Sequence, residues 1–388
     1  MNLALSDEQE FLREAARGAL SRFKTLEAAR EALDAQQGGG GGGQLPDLWP
    51  TACEAGWPGL LIDESHGGAG LDAFDAMLVL GECGRVLAGV PLLGHLPASA
   101  ILADAPRVAE YLPKLASGER RAAYLPAQPP GDVDPHWSAD PAHGMQRAPL
   151  AGGSAPDANG EVKLSGSYAF VPDAPGADVL VGVALVDGEP AGVVIMADAE
   201  GVHVQSVRGY DSTRSLAHVT LTQAPATVLD APVESLAGAW HLAQALIAAE
   251  SIGSVETALE VSVAYAKERH TFGRAIGSYQ AVKHSLTEVL RQLENGRSLL
   301  YYAGWSRNGA PGEFALAASS ARSVAGRALD TAARTMISVH GGIGATWEHD
   351  APLYFRRAQL SRRLLGGTAG ATDRVAGELI AQADAAAA

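Results

Sequence analysis

Arg269, Phe272 and Gln280 fall within one short stretch, Lys267–His284, which reads KERHTFGRAIGSYQAVKH. A guanidinium offers a fork of donors to an anion, and an amide offers both a donor and an acceptor. Held on a stiff connection, such a set suits an anionic, hydrogen-bonding ligand. The same residues also suit the tip of an ordinary helix hairpin. The elements that must hold them are legible on either side. Upstream, from about Trp240 to Glu268, Leu242, Leu246, Ala249, Ile252, Val255 and Leu259 form one apolar stripe at helical spacing. Arg269 closes that helix, Thr271-Phe272-Gly273 turns the chain, and Gly277 turns it again. A second helical pattern starts near Gln280 and runs past Leu300.

The bulk properties bound what such a site can serve. The chain has 388 residues, room for two or three domains with substantial cores. Its net charge of −15 comes with no basic stripe to track a phosphate backbone, which excludes nucleic acid as the expected partner. Cys53 and Cys83 form neither a disulfide framework nor a metal-ligand spacing, and read as buried thiols of a cytoplasmic protein. The start, MNLALSDEQEFLREAARGAL, lacks the positive region and apolar core of a signal peptide, and no apolar run is long enough for a membrane span.

Along the chain, 5–35 reads as two helices, with Ser6-Asp7-Glu8-Gln9-Glu10 as a capped start. The glycine run Gly38–Gly43 reads as a flexible surface loop. Helical patterns resume over 46–57 and 71–87 and continue to about Gly118. Proline and glycine are dense from Pro126 to Gly160. Strand-like runs follow at Val179–Leu185, Ala191–Met196, Val202–Val207 and Ala217–Leu221. Helices return near Leu236. The one after Phe314 is rich in alanine, which permits close packing. The expected organisation is helical over 1–120, a β domain over 121–233 and helical again over 234–388.

Four segments carry a resemblance. ER-x-TFG with Gln280-Ala281-Val282-Lys283-His284 is the first, and Val339–Gly344 followed by Thr346-Trp347-Glu348 is the second. The others are Gly56-Trp57 with Glu64–Gly70, and Arg208–Arg214. In this order and spacing they resemble the acyl-CoA dehydrogenase family. The resemblance implies an α+β fold: an N-terminal helical domain, a small middle β-barrel or sandwich, and a C-terminal four-helix bundle. It implies FAD-dependent α,β-dehydrogenation of an acyl-CoA thioester. In that reaction a carboxylate removes the proton beside the thioester carbonyl and FAD accepts a hydride from the next carbon.

Against that pattern the chain departs at the base. Gly366 stands where the family places a glutamate, in Leu364-Leu365-Gly366-Gly367-Thr368-Ala369-Gly370, and Gly370 replaces a flavin-binding glutamine. The alternative base position of the family corresponds to Ala243. Glu250 shares that helix face, about 10 Å along the axis, and is either a displaced base or a structural acid paired with an arginine such as Arg297 or Arg322. The flavin walls depart too. Leu125–Gly131 lacks the family's Thr, Ser and Asp, and Ala169-Phe170-Val171-Pro172 has a valine where a threonine donates to the flavin.

What matches is the set that, in the family, reaches the neighbouring subunit's FAD: Arg269, Thr271, Phe272, Gln280 and the His340-Gly341-Gly342 turn, with Ser338 in place of a glutamine. The pattern implies a subunit that completes a partner's FAD site and has no base of its own. It is similar to chains of bacterial α2β2 enzymes that oxidise steroid-CoA side chains, with FAD shared with a second acyl-CoA dehydrogenase-like subunit and electron-transfer flavoprotein as acceptor. Two other readings stand beside it: a self-sufficient homotetramer using Glu250, and an inactive scaffold.

Overall fold

The computed structural model describes residues 4–37, 45–126, 138–139, 147–148 and 150–387. The glycine run Gly38–Gly43 and most of the proline-rich stretch after Pro126 lie outside the described residues. Helices α1 (Asp7–Leu20), α2 (Thr25–Gln37), α3 (Trp49–Glu54), α4 (Ala73–Arg85), α5 (Leu92–Ala103) and α6 (Leu112–Ala116) come first. Strands β1 (Ala122–Leu125), β2 (Ser138–Ala139), β3 (Arg147–Ala148), β4 (Gly152–Gly153), β5 (Glu161–Pro172), β6 (Val179–Val186), β7 (Glu189–Met196), β8 (Val202–Ser206) and β9 (Leu216–Val228) follow. Then come α7 (Val233–Glu268), the two-residue strands β10 (His270–Thr271) and β11 (Arg274–Ala275), α8 (Gln280–Gly309), α9 (Phe314–His340), α10 (Ala351–Ser361) and α11 (Gly367–Ala387).

The first helix starts as its sequence dictates. Gln9 N–H donates to Ser6 Oγ at 3.2 Å and Ser6 N–H donates to Gln9 Oε1 at 3.1 Å, a reciprocal cap that satisfies two otherwise free donors. The strands form a barrel. β6, β4, β5, β9 and β7 are hydrogen-bonded in that order, and β6 pairs β7 to close the ring. β1 adds to β6 in parallel and β8 adds to β9 antiparallel. The sequence reading missed β5, whose burial alternates at its start and is then interrupted by register shifts at Leu164/Gly166 and Tyr168/Val171.

The central helix α7 is 36 residues long, about 54 Å at the usual rise. The apolar stripe expected over 240–268 is only part of its burial. Every residue from Ala239 to Val255 is buried, so its middle is enclosed on all sides rather than on one face. Backbone contact with α4 makes that enclosure possible. A Cβ on Gly84 would fall 1.9 Å from Glu250 O, and one on Gly253 would fall 1.9 Å from Gly81 O. Ser254 Oγ bridges the crossing by donating to Gly84 O at 2.8 Å. On another side, α9 presents Ala318, Ala321, Ala325 and Ala328, all buried, which lets the bundle helices approach closely.

The barrel is fastened to the first helices by buried polar contacts. Gly94 N–H donates to Asp173 Oδ2 at 2.8 Å, and Ala122 N–H donates to His95 Nδ1 at 3.1 Å. Among the described residues no helix is long and apolar enough to cross a membrane.

Candidate functional site

Arg269 sits in extended backbone just past the last turn of α7, its N–H donating to Tyr265 O at 2.8 Å. Its own carbonyl accepts from Ile276 N–H at 2.8 Å, which folds the β10–β11 hairpin back onto the helix end. The Tyr279 hydroxyl donates to Thr271 O at 3.1 Å, and the Arg274 guanidinium lies 4.0 Å from the Tyr279 ring. The hairpin is thus braced, yet its tip is bare. Phe272, with φ +50°, is 97% exposed, and Arg269 and Gln280 are also exposed. A braced backbone carrying an exposed aromatic, a guanidinium and an amide is preorganised to meet something outside the chain.

The second strip lies at the end of α9. Ser338, Gly341 and Gly342 are exposed, and Gly341 takes φ +63° and ψ −134°, a conformation that favours glycine. His340 does not share that exposure. Its ring is buried, its Nδ1–H donates to Met336 O at 2.7 Å, and it lies 4.3 Å from the Tyr265 ring. The structure therefore offers the backbone turn after His340 rather than the imidazole. The Tyr265–His340 contact also brings the two strips to one end of the bundle.

The two positions where the family places a base lie close together. Ala243 is fully buried on α7. Its neighbour Gln244 donates from Nε2 to Leu365 O at 2.8 Å, directly before Gly366. A cavity of about 810 Å³ opens here, lined by Trp240, Gln244, Leu365, Gly366, Gly370, Asp373, Arg374 and Glu378, among others. Gly366 has φ +79°, in a left-handed run from Leu365 to Gly367. Asp373 and Glu378 escaped the sequence reading. The spacing Gly366, Gly370, Asp373, Gly377, running from the loop onto one face of α11, was the available signal. Asp373 is exposed, and Glu378 is held by Arg374 at 3.1 Å. Below the loop, Arg322 is fully buried and donates to Ser361 O and Leu364 O. Burial, with nearby Arg214, lowers its pKa to about 9. The charged group beneath the glycine loop is therefore a cation.

Glu250 sits in a buried cluster of ion pairs. It is buried, and its two oxygens are taken by Arg214 Nη2 and Arg357 Nη1. Arg297 and Arg322, the partners expected from sequence, are elsewhere: Arg297 pairs with Glu294 and Glu256, and Arg322 with carbonyls. Arg357 reaches Asp211 Oδ2 at 2.8 Å and Thr213 Oγ1 at 2.6 Å. Burial alone would raise the Asp211 carboxyl, but Arg357 and the Thr213 hydrogen bonds hold it below the usual range. The Arg208–Arg214 segment thus supplies Asp211, Thr213 and Arg214 to one buried ionic cluster.

The family model described as acyl-CoA dehydrogenase, N-terminal domain matches residues 6–119, and that described as acyl-CoA dehydrogenase, C-terminal domain matches residues 237–380. The chain belongs to the acyl-CoA dehydrogenase family. This acyl-CoA dehydrogenase family chain is 30% identical over 369 residues to the acyl-CoA dehydrogenase IpdE2 of Mycolicibacterium smegmatis, covering 93% of this chain and 96% of that one. It is 32% identical over 373 residues to the acyl-CoA dehydrogenase FadE34 of Mycobacterium tuberculosis, covering 95% of this chain and 47% of the longer relative. Among solved structures, the Tcur3481-Tcur3483 steroid ACAD superposes with a TM-score of 0.82 at 28% identity, covering 98% and 99% of the two chains. The ChsE4-ChsE5 complex of Mycobacterium tuberculosis, with a TM-score of 0.83 at 24% identity and 98% and 99% coverage, shares the fold.

Relatives in the acyl-CoA dehydrogenase family bind FAD, and the two ends of that cofactor find different surroundings here. For the diphosphate end, a Cβ built on Gly273, Gly341 or Gly342 meets nothing of this chain within 4 Å, so their backbones are open to approach. Arg269 and Gln280 are exposed nearby, a donor set that fits phosphate oxygens. For the ring end, Val171 and Leu125 are fully buried core residues and have no side-chain donor to offer.

Proposed function

We propose that this chain is the half-site subunit of a heteromeric, α2β2-type acyl-CoA dehydrogenase acting on an acyl-CoA in the cytoplasm. In this reading Arg269 and Gln280 hold the diphosphate-adenosine end of FAD seated mainly in a second acyl-CoA dehydrogenase-like subunit. Thr271, Phe272, Ser338 and the His340-Gly341-Gly342 turn shape the same contact. The bound cofactor supplies hydride acceptance, and electrons pass on to an electron-transfer flavoprotein. This chain's part is to bind and orient. The guanidinium neutralises phosphate charge, the amide fixes the adenosine side, and the exposed aromatic shields the contact from water. The proton is removed by the partner, because neither Ala243 nor Gly366 has a group that could accept it.

One contrast carries the reading: a braced but bare Arg269–Phe272–Gln280 strip on a chain whose Glu250, on the same helix as the family's alternative base position, is paired with two arginines. Similarity to a steroid-acting relative supports a bulky acyl group as substrate. The test is to purify this chain alone and together with its genomic neighbour, reading the visible flavin band and acyl-CoA oxidation. Flavin and turnover are expected only from the pair. A single chain that is yellow and active overturns the proposal.

A further inference from the structure

Tyr265, His340 and His349 form a stack of three rings at the end of the bundle that carries both exposed strips. The Tyr265 and His340 centroids are 4.3 Å apart at an interplanar angle of 32°, and those of His340 and His349 are 4.0 Å apart at 41°. Each ring is tied to a backbone element that matters. Tyr265 O caps the helix by accepting from Arg269 N–H at 2.8 Å. His340 is the last residue of α9, directly before Gly341. His349 Nδ1 accepts from Ala351 N–H at 3.0 Å and so anchors the start of α10.

Tyr265 and His349 are only partly buried, so the stack adds little to the apolar core. Helix ends fray unless they are held. Two strips from different helices can grip one ligand only if they keep a fixed separation. Burial, with His340 beside it, holds the His349 imidazole below the ordinary histidine range.

We propose that Tyr265 and His349 are positioning residues: they clamp His340 and thereby hold the Arg269 strip and the Gly341-Gly342 turn in the register needed to share one phosphate-bearing cofactor. This rests on the reading above that the strips contact FAD.

The test uses the complex of this chain with its genomic neighbour. FAD release on dilution is followed by flavin fluorescence. Tyr265→Leu and His349→Ala are each expected to weaken FAD retention about tenfold, the scale of one aromatic pair, while Tyr265→Phe, which keeps the ring, holds it at the wild-type level. The melting temperature of each variant chain, measured without FAD, is expected to change little, which separates positioning from general folding. Arg269→Ala is run alongside. If Arg269→Ala releases FAD but Tyr265→Leu and His349→Ala do not, the positioning role is overturned and the half-site reading stands. If all three retain FAD, both fall. If Tyr265→Phe is as weak as Tyr265→Leu, the stack is not the reason and the proposal fails.

Discussion

Glu250 on α7 and Arg357 on α10 are ion-paired in the interior, their side chains 5% and 1% exposed. With Arg214 on the other carboxylate oxygen, this pair ties the segment leading into β9 to the helical bundle. Removing the charge of Glu250 leaves two guanidinium groups facing each other without their anion. Glu250→Gln should therefore destabilise the fold by about 3 kcal/mol. In the assembled enzyme it should leave the kcat of surviving protein close to wild type. Urea denaturation and steady-state kinetics on the same preparation separate these effects. Lost turnover with an unchanged urea midpoint would return Glu250 to the role of base.

Arg269 is an exposed guanidinium at the base of the hairpin. Arg269→Ala should weaken FAD retention in the complex by about 2 kcal/mol, the worth of a charge-assisted hydrogen bond. Arg269→Lys should recover only part of this, since a point charge cannot reproduce a planar fork. Calorimetric titration of FAD into the deflavinated complex measures both. Equal affinity across the three proteins would show that the cofactor does not touch this residue.

Restoring an acid at the family's base position should not restore chemistry. Gly366 has φ +79° within a left-handed run, and Arg322 lies buried beneath the loop. Gly366→Glu is expected to cost about 1–3 kcal/mol in backbone strain and to give no acyl-CoA oxidation by the isolated chain, where the flavin-ring donors are also missing. Thermal melting and an anaerobic acyl-CoA titration with FAD added, watched at the flavin band, are the measurements. Bleaching of the flavin by this variant alone would contradict the account.

Asp173 supplies a pH dependence with a defined sign. Its carboxyl is buried, and burial raises its pKa from 3.8 to about 6. Below the unfolded value both states carry the proton, and the neutral group is tolerated inside. As pH rises from 3.8 to about 6, only the unfolded chain gains the favourable ionised form; above about 6 the folded carboxyl ionises as well. Stability should fall by about 3 kcal/mol across that window and then level off. Asp173→Asn keeps an acceptor for Gly94 N–H and should lack this decline. The difference in urea midpoint between the two proteins from pH 4 to 7 tests it, and a flat difference sinks it.

How much of this was legible in the sequence depended on how local the cause was. The Ser6 cap, the bundle helices and the Arg269 hairpin follow from spacing and turn residues a few positions apart. The partners of Glu250 did not, because Arg214 and Arg357 are brought to it only by the packing of three separate segments. β5 was obscured by bulges that break the period-two pattern. His340 read as a ligand contact because its motif is contiguous with the glycine turn. Its burial depends on Tyr265 and His349, and no local pattern reports that. Asp373 and Glu378 were hidden because the cavity they line exists only once α11 packs against α9.

The Phe272 ring at the hairpin tip is 97% exposed. A phenyl ring left almost wholly in water releases about 2 kcal/mol when apolar surface covers it. A cell that made this chain in excess of whatever covers that ring would accumulate molecules with an adhesive tip, prone to cling to unrelated apolar surfaces. Balanced production of the two would then matter as much to the yield of usable protein as the stability of the fold itself.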